Sequence, residues 1–216
     1  MSTAPDTISS TFMFDCLELL ALAFRGPVLS TPDANCPGVL TSGVLALFED
    51  AGELPVEIHE PLSRMAQLVM DADSEGAFCE QLETEYVRLF IANKGGITAP
   101  LYQSCYENIE AGAKGRMMGA SALAMQQLLD DAGLAVGVQG NDPADHLSTE
   151  LEYTYFLLHR DQQASPVEKA AKEFVHNALL PWVTKLEAKL LSAAQDSYYC
   201  HAVQLLVALL QTIQKN

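Results

Sequence analysis

The apolar residues of this chain recur at intervals of three and four. Phe14, Leu17, Ala21 and Phe24 form one such stripe, and that spacing puts side chains on one side of an α-helix. With Ser9 or Ser10 as a cap, the pattern predicts a first helix ending near residue 25. A loop with Pro27, Pro32 and Pro37 follows, then helices over about 38–51 and 55–70, the latter turning Ile58, Leu62, Met65 and Leu68 or Val69 inward. Ser74 caps a fourth helix, in which Phe78, Leu82, Tyr86, Leu89 and Phe90 recur before it fades after Ala92. A glycine- and proline-containing connector, 93–104, leads to a fifth helix over about 113–132, closed by Gly133. A second connector, 134–142, precedes a sixth helix, which Asp142 should cap and Pro143 should open, running to about residue 160. Ser165-Pro166 marks a seventh, Pro181 should break or kink it, an eighth carries Trp182, Leu186 and Leu190, and the last covers about 197–214. No segment alternates as a strand does. The expectation is an all-α, single-domain bundle of eight or nine helices over residues 1–216.

Charge narrows the partners. The formal net charge is −16, and the isoelectric point is about 4.5. Such a surface repels nucleic acid and anionic lipid and attracts basic peptides. The longest apolar runs, 19–24 and 205–210, have six residues, against about 20 for a membrane span. Met1 to Ser10 lacks the basic start of a secretory signal. Five widely spaced cysteines include no CxxC pair, which fits reduced core thiols. These features together predict a soluble, cytoplasmic protein with no stable membrane insertion.

Catalytic motifs are lacking. There is no GxSxG elbow, Walker loop or dinucleotide fingerprint. His146 and Glu150, four residues apart, could begin a metal site on one helix face, although no second pair accompanies them. Two segments stand out. Asp142-Pro143-Ala144-Asp145-His146 reads as helix-start chemistry, with Asp145 against the positive end of the helix dipole, but a protonated imidazole is disfavoured in a first turn. Tyr86, Leu89 and Phe90, with Pro100, Tyr102, Ser104 and Tyr106 beyond the connector, gather aromatic residues suited to holding a peptide, although Tyr86, Leu89 and Phe90 also suit an ordinary core.

In order and spacing these segments resemble the TorD/DmsD/NarJ family of redox-enzyme maturation chaperones, most closely the TorD/DmsD branch. The resemblance is carried by Tyr86/Leu89/Phe90, Pro100/Ser104/Tyr106, Gly133/Leu134 and Pro143/Asp145/His146/Glu150/Leu151. It departs from the family pattern at Asp142, where glutamate is frequent, and at Ser148, where glycine is frequent. It implies a cytoplasmic all-helical protein, not an enzyme. Such a protein binds the twin-arginine signal peptide, and sometimes the body, of a molybdopterin oxidoreductase until its cofactor is inserted. No resident cofactor is implied, though some members are reported to bind guanine nucleotide weakly. Members occur as monomers or helix-swapped dimers. Carried over by position, the peptide site comprises Tyr86, Leu89, Phe90, Pro100, Tyr102, Ser104, Tyr106, Asp142, Pro143, Asp145, His146 and Glu150. An aromatic groove between the two connectors is expected to take the apolar part of the peptide. Replacing Asp145 and His146 by alanine should then weaken binding and leave the thermal midpoint nearly unchanged. Two other readings stay open: a helical adaptor for a folded partner, and a metal protein using His146 and Glu150.

Overall fold

The computed structural model describes residues 8–26, 37–107, 119–134, 143–163 and 169–215. Among these, nine α-helical segments account for nearly all regular structure: α1 (Ser10–Arg25), α2 (Pro37–Glu49), α3 (Val56–Met70), α4 (Glu75–Tyr86), α5 (Ala120–Asp131), α6 (Leu147–Gln163), α7 (Ala170–Phe174), α8 (Leu180–Ala194) and α9 (Tyr198–Lys215). No strand occurs among the described residues, so the all-α expectation holds. The helix α9 is the most buried and packs along α3 and α8, while α1 packs along α6. Buried side chains from all nine helices join in one contiguous core.

Several ends follow local chemistry. The Ser9 and Ser74 hydroxyls accept hydrogen bonds from Phe12 N–H and Ala77 N–H, at 3.1 and 3.2 Å, satisfying first-turn amides of α1 and α4. Gly133 adopts φ 69° beyond α5, with Gly133 N–H donating to Asp130 O and Leu134 N–H to Leu129 O. This is the paired bonding of a Schellman closure, which a left-handed glycine permits.

Three expectations are corrected. The sixth helix starts at Leu147, four residues beyond Pro143. Asp142, assigned as its cap, lies outside the described residues, as do most of the second connector, the Ser165-Pro166 signal and residues 113–118 of the fifth helix. The fourth helix continues past Tyr86 as a π turn, Val87–Ile91. Pro181 does not break the chain's helical course: a second π turn, Val175–Leu179, joins α7 to α8, and Pro181 enters in the first turn of α8, where a missing amide hydrogen is tolerated.

Candidate functional site

The connector after α4 is bound back onto the molecule at several points. Ala99 N–H donates to Leu89 O at 2.9 Å. Residues 101–103 then lie antiparallel to 145–147, with an isolated bridge between Tyr102 and His146. Gln103 N–H donates to Asp145 O (3.0 Å) and Leu147 N–H to Leu101 O (2.8 Å). The chain then turns through a short 3₁₀ segment, Gln103–Tyr106. The two sequence motifs are therefore brought together, by backbone hydrogen bonds between segments 44 residues apart.

Below that bridge sits a polar cluster. Asp145 and Glu150 are both 0% exposed. Asp145 Oδ2 accepts from Ser104 N–H at 2.7 Å and from the Ser121 hydroxyl at 3.1 Å, linking the 3₁₀ turn, α5 and the start of α6. Glu150 Oε2 accepts from the Trp182 indole N–H at 2.8 Å, linking α6 to α8. Asp145 Oδ1, Glu150 Oε1 and Ser104 Oγ are buried without a hydrogen-bond partner among the described residues. Neither carboxyl forms an ion pair among the described residues. Burial pushes the Glu150 carboxyl well above the usual carboxylate range; the Trp182 hydrogen bond opposes this and the Asp145 charge adds to it. Asp145 takes both of its donors on one oxygen, while burial holds Glu150 toward its neutral form.

His146 resolves the mismatch in its sequence neighbourhood. It precedes α6, and its Nδ1 accepts from Ser148 N–H at 3.2 Å, with the Ser148 hydroxyl 2.8 Å from the same atom. The imidazole is therefore the N-cap of α6, and accepting at Nδ1 assigns the ring proton to Nε2. His146→Ala should lose about 1 kcal/mol, the usual cost of a missing cap, read as a lower denaturant midpoint with unchanged slope.

The expected open aromatic groove is not formed by the residues assigned to it. Tyr86, Leu89, Phe90, Ser104 and Tyr106 are all buried, along with Asp145 and Glu150. The Tyr86 hydroxyl donates to Phe24 O and Arg25 O at 3.2 and 3.3 Å, so it closes the end of α1. Its ring lies where a Cβ on Gly26 would stand, 2.4 Å from Cζ, and packs with Phe90 and Tyr199. The Tyr106 hydroxyl donates to Pro100 O at 2.8 Å, and its ring lies 5.4 Å from Trp182. Of the assigned residues, Pro100, Tyr102, Pro143 and His146 reach the surface, each half-buried. Tyr102 and His146 stack edge to face with ring centroids 4.9 Å apart. Because Asp145 is a buried fastening and not a surface acid, replacing Asp145 and His146 together should cost stability, contrary to the expectation from sequence.

The metal reading loses its geometry. His146 and Glu150 are engaged with Ser148 and Trp182. Among the described residues no group of three His, Cys, Asp or Glu side chains could hold a metal ion. Cys16, Cys79 and Cys200 are buried and Cys105 is half-buried. No helix among the described residues is long and apolar enough to cross a membrane. Sequence reasoning missed Ser121 and Trp182 as the partners of the two carboxyls. Both lie more than 20 residues away, and neither pairing has a local pattern.

A sequence profile of the family described as the nitrate reductase delta subunit matches residues 52–188. The chaperone protein TorD of Photobacterium profundum is 25% identical over 161 residues, 72% of each chain. That of Vibrio parahaemolyticus is 28% identical over 109 residues, spanning 48% of this chain and about half (51%) of its own length. A crystal structure from Archaeoglobus fulgidus, described as a redox enzyme maturation protein, has the same architecture. It superposes with a TM-score of 0.57 at 22% identity, over 97% of this chain and 99% of that one.

Proposed function

This chain belongs to the nitrate reductase delta subunit family, whose matched members here are TorD chaperones and not enzymes, and from that membership we propose that it binds the twin-arginine signal peptide of a molybdopterin oxidoreductase in the cytoplasm and assists maturation before export. The observation that supports this most is the Tyr102–His146 ring pair, half-exposed and fixed from below. It is a small platform and not the deep groove expected from sequence. The buried Asp145 and Glu150 cluster anchors the backbone on both sides of it, so the platform loses little freedom when a ligand lands. The chain's net charge of −16 attracts the basic head of a signal peptide, and the rings contact its apolar part.

Calorimetric titration with a synthetic twin-arginine signal peptide tests this reading. The chain should bind at roughly micromolar concentration. Tyr102→Ala should weaken binding about tenfold, as loss of an aromatic anchor does, and leave the thermal midpoint within a few degrees. Absence of binding to the unaltered chain, or equal affinity in Tyr102→Ala, would reject it.

A further inference from the structure

The polar cluster beneath the Tyr102–His146 bridge keeps bonding capacity that its protein contacts do not use. Asp145 and Glu150 are 0% exposed and Ser104 is 1% exposed. Each nevertheless carries a side-chain oxygen with no hydrogen-bond partner among the described residues: Ser104 Oγ, Asp145 Oδ1 and Glu150 Oε1. These atoms share one neighbourhood. The Ser104 amide stands 2.7 Å from Asp145 Oδ2, which keeps the Ser104 hydroxyl near the second oxygen of the same carboxylate. Glu150 is near enough that, after burial, the Asp145 charge also raises its carboxyl. None of the three oxygens bonds another directly. Neighbouring polar atoms too far apart to bond are the setting in which a small molecule bridges them.

The chemistry of the three atoms selects the molecule. Glu150 Oε2 accepts from the Trp182 indole, so in the neutral form that burial favours the acid hydrogen belongs on Oε1, where it needs an acceptor. Asp145 Oδ1 needs a donor, and the Ser104 hydroxyl can act as either. A cation has no lone pair to offer the Glu150 hydrogen. An anion has no hydrogen for Asp145 and would be repelled by it. Water has both hydrogens and lone pairs, and buried waters ordinarily make about three hydrogen bonds. We propose that one ordered internal water bridges Ser104 Oγ, Asp145 Oδ1 and Glu150 Oε1, accepting from Glu150 and donating to Asp145. It completes a hydrogen-bonded path from Ser121 on α5, through Asp145 and Glu150, to Trp182 on α8. Gln103 N–H, in the backbone pairing that carries Tyr102 and His146, also ends on Asp145. The water therefore belongs to the foundation of the platform, whatever ligand the platform receives.

A high-resolution crystal structure of the full chain tests this directly. A single density peak should lie within hydrogen-bonding distance, about 3 Å, of all three oxygens. Solvent magnetic relaxation dispersion supplies a count in solution. Glu150→Gln, whose amide can donate where the acid did, should keep the parent's number of long-lived internal waters. Ser104→Val, whose added methyl takes the place of the water, should lose one, with circular dichroism confirming the fold. Exchange of sodium for potassium or ammonium chloride at equal ionic strength should leave the peak unaltered. Absence of such a peak, or an equal count in the parent and folded Ser104→Val, would overturn the proposal. A peak that grows with the electron number of the cation would overturn it in favour of a bound ion. Should Ser104→Val fail to fold, the parent's density decides alone.

Discussion

Asp145→Ala should destabilise the fold by about 3 kcal/mol, because the change strands a buried backbone amide and a buried hydroxyl at once. Ser104 N–H and the Ser121 hydroxyl both end on Asp145 Oδ2, and neither Ser104 nor Ser121 is exposed enough to turn to water. The loss should be felt where three pieces of chain converge, the 3₁₀ turn, α5 and the start of α6. Hydrogen exchange should therefore quicken first in those segments, ahead of α3 and α9. Asp145→Asn is the informative companion. Its amide oxygen can accept from both donors. It should recover most of the stability that alanine loses. If Asp145→Ala unfolded at the same denaturant concentration as the parent, the buried fastening would not exist.

The second large effect concerns Glu150. Its carboxyl is raised in the folded chain above the ordinary value of 4.5, chiefly by burial. A group raised on folding contributes its full stability below its unfolded pKa and loses it as pH climbs through the folded value. For Glu150 the stabilising form is the neutral acid, so the loss begins above about pH 4.5 and proceeds upward. Glu150→Gln mimics the neutral acid and can still accept from the Trp182 indole through its carbonyl oxygen. The thermal midpoint of Glu150→Gln should therefore match the parent near pH 4 and exceed it increasingly toward neutral pH. Taking the difference between the two proteins removes the general repulsion of a chain with net charge −16. Glu150→Leu, which leaves the Trp182 N–H unsatisfied, should lose about 1–3 kcal/mol near pH 4, where the parent's Glu150 is in its stabilising form. A parent more stable than Glu150→Gln at pH 8 would show that the ionised form is the preferred one.

Much of the fold was legible because its signals are local. Ser9 and Ser74 sit immediately before apolar periodicity and cap as expected; Gly133 closes α5 in the conformation that a glycine allows. The start of α6 misled because Asp142-Pro143 is a strong local start signal, whereas a histidine cap is an uncommon one. The imidazole takes that position because residues 101–103 pair with 145–147, so the chain turns through 144–145 and bridges at His146 before the helix begins at Leu147. Tyr86 suited either a groove or a core, and what decides for the core is distant: the acceptors of its hydroxyl are 61 and 62 residues away in sequence. Nothing in the spacing around Tyr86 reveals carbonyls at the end of another helix. The same holds for Glu150, whose indole donor is 32 residues distant. Sequence order therefore located the region that carries the family likeness, but not which of its side chains face inward.

The most direct measurement is co-purification with a client. A molybdopterin oxidoreductase precursor from the same source is co-expressed with this chain, once with its twin-arginine leader and once without. Capture of the precursor in proportion to the chaperone, reduced severalfold when the leader is removed and reduced again by Tyr102→Ala, is the predicted result. Equal recovery of leader-bearing and leaderless forms, or none of either, would contradict recognition of the signal peptide.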